Sequence, residues 1–356
     1  MNKTNIQHLV LSGGGLLGIS YIGLFKYFEE YNTLSNLKTV TGCSVGAIFG
    51  TLLILGYKST ELDSIIKSMV FKDYLNINID SILNFMTTKG LESGKKLNIF
   101  IKKYIKEKTG DENITFLQIQ EKYNIKLQIG VTNLTKSKFE LFNVDITPDI
   151  PIEKAISASI AIPFVFEPIA ILDDIYCDGG LLNNLPIENL ININYINKLS
   201  TINKNIKDSP ESKDSPESKD SPESKDSPES QPNNDIKDNK IKQINNYENE
   251  SKESQEELTI IGFYLINKNT PIINKDNSKI ISLLQYMSII TQTLSRNMIY
   301  TKKEQENSNK LKYKIINIEI PCDIMTFIKL NATHDDINNI INIAYDITKK
   351  ELDYEK

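Results

Sequence analysis

TGCSVGAIFG, Thr41 to Gly50, places a serine between two glycines in the pattern G-x-S-x-G. The stretch joins a strand-like run, LKTVTG, to an apolar helix-like run, VGAIFGTLLILGY. That strand–turn–helix setting is the one in which hydrolases present a nucleophile. Gly42 and Gly46 remove side chains that would clash across so sharp a turn, and the helix N-terminus behind Ser44 favours an alkoxide. The five-residue pattern alone arises by chance in roughly one chain in ten of this length. Ser44 therefore reads either as a nucleophile or as a helix N-cap in a small-residue turn.

Upstream, LSGGGLLGIS contains Gly13, Gly15 and Gly18 in the pattern G-x-G-x-x-G, directly after a strand and opening a helix. A dinucleotide site is one reading, but it wants an acidic residue about 20 positions on, and the second strand here ends TVTGCS. A Walker loop is excluded because Ile19 follows Gly18. The other chemical reading is an oxyanion hole, in which the N–H groups of Gly13, Gly14 and Gly15 converge on developing negative charge. A tight turn without a ligand is the third reading.

A serine nucleophile needs a base, and the chain has 2 histidines, His8 and His334. His8 precedes Gly13 by five residues on a strand, about 16 Å from the glycine end, and reads as a strand-surface residue. His334, in NATHDDI, reads as a first-turn helix residue behind a Thr333 or Asn331 cap. A carboxylate is the remaining choice. In IYCDGGLLNNLP, Asp178 closes a strand, and Gly179 and Gly180 permit a loop tight enough to aim its carboxylate. A carboxylate with an ordinary pKa near 4 is a poor base, so a Ser–Asp dyad requires desolvation or a tight hydrogen bond. Taken alone, D-G-G is also simply a turn. Cys43 and Cys177 read as small packing residues beside the dyad.

The 356 residues are 40% apolar, enough for a sizeable core. A net charge of -5 without a basic block excludes a nucleic-acid footprint. Three cysteines at unrelated spacings, Cys43, Cys177 and Cys322, argue against a disulfide framework or a zinc site and point to a reducing compartment. No window suits a signal peptide or a membrane span, so a soluble, cytoplasmic protein meeting membranes only peripherally is expected. The hexapeptide KDSPES recurs four times between Lys207 and Ser230, followed by a polar tract, and predicts disorder over roughly 201–257.

Strand and helix signals alternate elsewhere. IQHLVLS, IKLQIGVTNL, KFELFNV, LTIIGFYLI and YKIINIEI read as strands; ISYIGLFKYFEEYN, ISLLQYMSIITQTLSRNMIY and DDINNIINIAYDITKKEL read as helices. IAIL and IYC flank a turn at Asp173–Asp174. The alternation implies a three-layer α/β/α sandwich with a mostly parallel central sheet. Residues 1–200 form its core and 258–356 complete the same domain around the insert, the alternative being a linker between two domains. The segment SIIKSMVFKDYLNINIDSILNFMTTKGL reads as a lid or interfacial patch, or equally as a plain core helix.

The glycine loop, the serine elbow and D-G-G, in this order, resemble the patatin-like phospholipase family. The likeness extends to ASIAIPFVFEP, Ala158 to Pro168, close to the family's A-S-x-A-x-P-x-x-F segment, and to NNLP after D-G-G. It spans roughly Leu9 to Asn192. The resemblance implies a lipid acyl hydrolase acting on lipid or phospholipid at membrane surfaces, with Ser44 as nucleophile, Asp178 as base, and the Gly13–Gly15 amides as oxyanion hole. It implies no metal and no cofactor. Many members carry Arg or Lys where this chain has Leu17, and patatins proper have Asp where it has Ser12. A catalytically silent lipid-binding protein and a nucleotide-binding dehydrogenase are the competing functions.

Overall fold

The computed structural model describes residues 5–70, 74, 79–189, 260–267, 313–321 and 333–353. The expected disorder over 201–257 and the helix expected over 281–300 lie outside these residues.

Among the described residues the elements run β1 (His8–Leu11), α1 (Tyr21–Tyr31), β2 (Thr39–Cys43), α2 (Val45–Ile54), α3 (Ser59–Ser68), α4 (Ile79–Thr88), β3 (Gly90–Glu92) and α5 (Lys95–Thr109). There follow α6 (Phe116–Tyr123), β4 (Lys126–Asn133), β5 (Lys138–Asn143), α7 (Ile152–Ser159), β6 (Phe164–Phe166), β7 (Ile169–Ile171) and β8 (Asp174–Asp178). After the insert come β9 (Ile260–Asn267), β10 (Tyr313–Ile320) and α8 (His334–Asp353).

The main sheet has the order β10-β9-β1-β2-β4-β8-β7, with β5 also paired to β4. β10, β9, β1, β2 and β4 are parallel; β5, β8 and β7 run antiparallel to their neighbours. Helices cover both faces of this mostly parallel sheet, as expected from the alternation of strand and helix signals. Strands from either side of the insert are neighbours, since β9 pairs in register with β1 from His8–Ile260 to Leu11–Phe263.

β1 illustrates why both faces are filled. Leu9 and Leu11 join the large core that includes Phe25, Phe28 and Phe263, whereas Val10 packs with Leu185, Ile187 and Ile260. The two-residue strand period sends alternate side chains into separate apolar layers. Because β1 is flanked by β2 and β9, His8 is buried rather than on the strand surface as the sequence suggested. Burial, reinforced by Lys38, lowers its pKa to about 4, which keeps the ring neutral.

Two further expectations are revised. The hairpin between β7 and β8 turns at Leu172–Asp173, since Ile171 already pairs with Asp174. α4 is not a core helix: it contributes no buried residue. The last helix begins as expected, with Thr333 Oγ1 accepting the Asp336 N–H at 3.2 Å as a cap.

The N-terminus of α2 packs so closely on the end of β1 that a methyl group at Gly46 would strike the Leu11 and Ser12 main chain. Backbone cannot step aside as a flexible side chain can. Gly46→Ala is expected to lower the unfolding free energy by about 1–3 kcal/mol, measured by urea denaturation; an unchanged midpoint would contradict this packing.

Candidate active site

β4 is the template on which the site is assembled. β5 occupies one edge of β4 over Gln128–Asn133, which leaves β2 and β8 to share the other edge. β2 runs parallel to β4 and ends with Cys43 opposite Gly130; β8 runs antiparallel and ends with Asp178 opposite Val131. Two strands therefore terminate head to head on adjacent positions of β4. The residue after Cys43 is Ser44, so the register itself delivers the serine to the carboxylate. Ser44 Oγ donates to Asp178 Oδ2 at 2.6 Å.

Ser44 occupies the turn between β2 and α2 with φ 52 and ψ -126. A positive φ is strained for a residue with a Cβ and persists only where surroundings enforce it. Ser159, at the last turn of α7, does this: its Oγ accepts the Ser44 N–H at 2.8 Å and donates to the Gly130 carbonyl at 2.6 Å. One buried hydroxyl thus joins the elbow to the template strand. The elbow serine caps nothing with its side chain, in contrast to the N-cap reading.

Asp178 is held on all sides. Its N–H donates to Ala161 O at 2.9 Å and its carbonyl accepts Thr132 Oγ1 at 3.0 Å. Its Oδ1 accepts the Gly180 N–H at 2.7 Å, so the D-G-G turn orients the carboxylate. Burial raises the Asp178 pKa to about 6, against the lowering effect of the hydrogen bonds from Ser44 and Gly180. Desolvation wins, which supplies the stronger basicity that a carboxylate partner of a hydroxyl requires. Cys43 and Cys177 are buried on either side and form no disulfide, and burial pushes the Cys177 thiol up to about 12, leaving it unreactive.

The glycine loop lies against this pair. A methyl group on Gly13 would meet Ser44 Cβ at 2.9 Å. Gly18 faces the Val45 side chain, Gly42 faces the first turn of α2, and Gly179 sits on Gly130. Gly13 N–H donates to Asn184 O at 3.3 Å, while Asn184 Nδ2 donates to Gly13 O at 3.1 Å. Gly13 is thus engaged by Asn184, and Gly14 and Gly15 open the 3-10 helix Gly15–Ser20, whose first turn closes with Leu17 N–H donating to Gly14 O at 3.1 Å. Ser12 ties the loop to β9, its Oγ accepting the Leu265 N–H at 3.0 Å, and Tyr21 Oη donates to Ser12 O at 2.7 Å. Leu17 is a buried core residue.

His334 is exposed and its Nε2 lies 3.3 Å from Lys67 O; His8 is at the opposite end of β1 from the loop. Neither meets Ser44 or Asp178 in the hydrogen bonds of the described residues. Ser159 and Asn184 are the residues that motif reading passed over, although both stand in segments, ASIAIP and NNLP, that carry the family likeness.

The chain belongs to the patatin-like phospholipase family, whose profile matches residues 9–191. It is similar to uncharacterized protein R571 of Acanthamoeba polyphaga mimivirus, 36% identical over 191 residues, covering 52% of this chain and 62% of that protein. It is also similar to probable lipid hydrolase 463L of Invertebrate iridescent virus 6, 32% identical over 192 residues, covering 53% of this chain and 64% of that one. Less than two thirds of each relative is spanned. The crystal structure of VipD from Legionella pneumophila aligns with a TM-score of 0.45 at 17% identity, over 98% of this chain and 67% of that one.

Removing the Ser159 hydroxyl takes away the acceptor of the buried Ser44 N–H and a donor to the Gly130 carbonyl. Ser159→Ala is expected to lower unfolding free energy by about 1–3 kcal/mol and to slow ester turnover by about tenfold or more through misplacement of Ser44. Denaturation and steady-state kinetics check both. A variant as stable and as fast as the parent would remove Ser159 from this role.

Proposed function

We propose that the protein is a serine acyl hydrolase that cleaves carboxylic esters of phospholipids, lysophospholipids or neutral glycerolipids at membrane surfaces. The observation that carries this reading is the 2.6 Å contact between Ser44 Oγ and a buried Asp178 carboxylate whose pKa is raised to about 6. Family membership supports a lipid ester as substrate.

In this reading Ser44 Oγ attacks the acyl carbonyl carbon while its proton passes to Asp178 Oδ2. The carbonyl oxygen becomes a tetrahedral oxyanion facing the amides of Gly14 and Gly15, with Gly13 serving the loop through its clasp to Asn184. Collapse expels the alcohol, which takes the proton from Asp178. Water then attacks the acyl-serine, giving its proton to Asp178, and collapse releases the fatty acid as Ser44 Oγ regains a proton. The helix N-terminus at Val45 stabilises negative charge at Oγ throughout. Residues 201–257 supply none of these groups.

Only the ionised form of Asp178 accepts the proton, so kcat/KM is expected to rise as pH increases through about 6 and then level off. The same shift has the opposite sign for stability. A carboxyl whose pKa rises from 3.8 to about 6 on folding favours the folded state at low pH, and this contribution is lost as pH climbs through about 6. The ionised group then costs about 3 kcal/mol at neutral pH, at 1.36 kcal/mol per unit. Asp178→Asn is therefore expected to abolish lipid ester hydrolysis while holding or raising the melting temperature at pH 8, and His334→Ala to stay within a few-fold of the parent. A fully active Asp178→Asn protein would sink the mechanism.

A further inference from the structure

A loop of consecutive glycines does not fix its own peptide planes. With no Cβ on Gly13 or Gly14, the peptide between them can turn over at little steric cost. Oxyanion stabilisation needs donors whose direction is set before the reaction, so another residue must set it. A trans peptide is planar, with its carbonyl and its N–H pointing opposite ways. Whatever grips the Gly13 carbonyl therefore aims the Gly14 N–H.

Two side chains grip it. Ser12 Oγ donates to Gly13 O at 2.9 Å, and Asn184 Nδ2 donates to the same oxygen at 3.1 Å. The hold of Asn184 is double, because its main-chain carbonyl accepts the Gly13 N–H at 3.3 Å. On the other side of the peptide, the Gly14 N–H meets no main-chain acceptor among the described residues. The gripped residue adjoins the serine, since a Cβ on Gly13 would stand 2.9 Å from Ser44 Cβ.

Asn184 also reaches the turn that orients Asp178. Its Oδ1 lies 2.8 Å from the place a Cβ on Gly180 would take, and Asp178 Oδ1 lies 3.0 Å from the same place. Gly180 is the residue whose N–H donates to that carboxylate oxygen. A Cβ on Gly13 would also strike Asn184 Oδ1, so the side-chain amide fills the space between the glycine loop and the D-G-G turn. Its own backbone is anchored on both sides. Leu185 and Ile187 are buried with Val10 and Ile260, and the Asn183 N–H donates to Gly179 O at 2.9 Å.

We infer that Asn184 is a positioning residue that locks the Gly13–Gly14 peptide, so that the Gly14 N–H faces the oxyanion, and holds the glycine loop at a fixed spacing from the base. The inference rests on the hydrolase reading and assigns to it a residue that touches neither the substrate nor the transferred proton. Orienting an oxyanion donor acts on the transition state rather than on substrate binding, so its loss lowers kcat and spares KM.

The test compares Asn184→Ala and Asn184→Asp with the parent in the full-length protein, on a soluble short-chain ester. Alanine removes the grip, and aspartate keeps the shape while setting an oxygen against the Gly13 carbonyl. Each is expected to lower kcat by about tenfold or more, read on the high-pH plateau, with KM close to the parent value and the melting temperature within a few degrees. Aspartate has a second signature. Burial and the hydrogen bonds from Ser44 and Gly180 set the Asp178 pKa, with the thiols of Cys43 and Cys177 beside it, and a new carboxylate close by disfavours its ionised form. The rising limb of kcat/KM is therefore expected to move to higher pH in Asn184→Asp and to stay in place in Asn184→Ala. Parent kcat in either variant, a loss confined to KM, or an unmoved limb in Asn184→Asp would overturn the inference. So would a melting temperature that falls in step with activity, since Asn184 would then hold the fold rather than the peptide. An active parent with unaffected variants defeats this inference alone, whereas a parent that hydrolyses no ester defeats the hydrolase reading and the inference with it.

Discussion

Everything at the site depends on two strands ending on neighbouring residues of a third. β2 stops opposite Gly130 and β8 stops opposite Val131, so Ser44 and Asp178 are placed by backbone register rather than by a loop's choice of conformation. Register in a buried sheet is hard to change, because a slip of one residue would turn every side chain of the strand to the other face. The precision of a 2.6 Å contact between residues 134 positions apart in sequence thus comes from hydrogen-bonded ladders. Gly130 suits the junction. Its carbonyl accepts the Ser159 hydroxyl, and a side chain there would press on Phe139.

The arrangement is under tension in a productive sense. Ser44 is held at φ 52, a conformation that serines avoid, and Asp178 is kept in a site that disfavours its charge. Both costs fall on the proposed nucleophile and base and are met by buried hydrogen bonds: Ser159 to the elbow, Gly180 to the carboxylate, and Asn184 to the glycine loop. Such concentration of strain and desolvation at one point is what an active site needs. Stability is expected to improve when the charge is removed, and that is the trade between folding and chemistry at this position.

Much of this was legible in the sequence because the signals were local. G-x-S-x-G between a strand run and a helix run, glycines directly after the first strand, and D-G-G after the last strand of the first half each specify their own turn. Contacts between distant segments left no such mark. Ser159 and Asn184 read as ordinary residues of motif segments, since their partners, Ser44 and Gly13, are 115 and 171 positions away. His8 read as a surface residue because the strand that covers it, β9, begins only at Ile260. α4 has the spacing of a core helix, and its exposure depends on what surrounds it. The chain's periodicity fixes which residues share a stripe, but the direction in which the stripe points belongs to the tertiary structure.

The central claim is that the geometry at Gly130 and Val131 makes Ser44 a nucleophile. The most direct measurement is reaction of the native protein with a fluorophosphonate, followed by mass-spectrometric mapping of the adduct. A single adduct on the peptide bearing Ser44 is predicted, forming more slowly when Asp178 is replaced by Asn. An unmodified Ser44 in correctly folded protein, or a labelling rate indifferent to Asp178, would contradict the account.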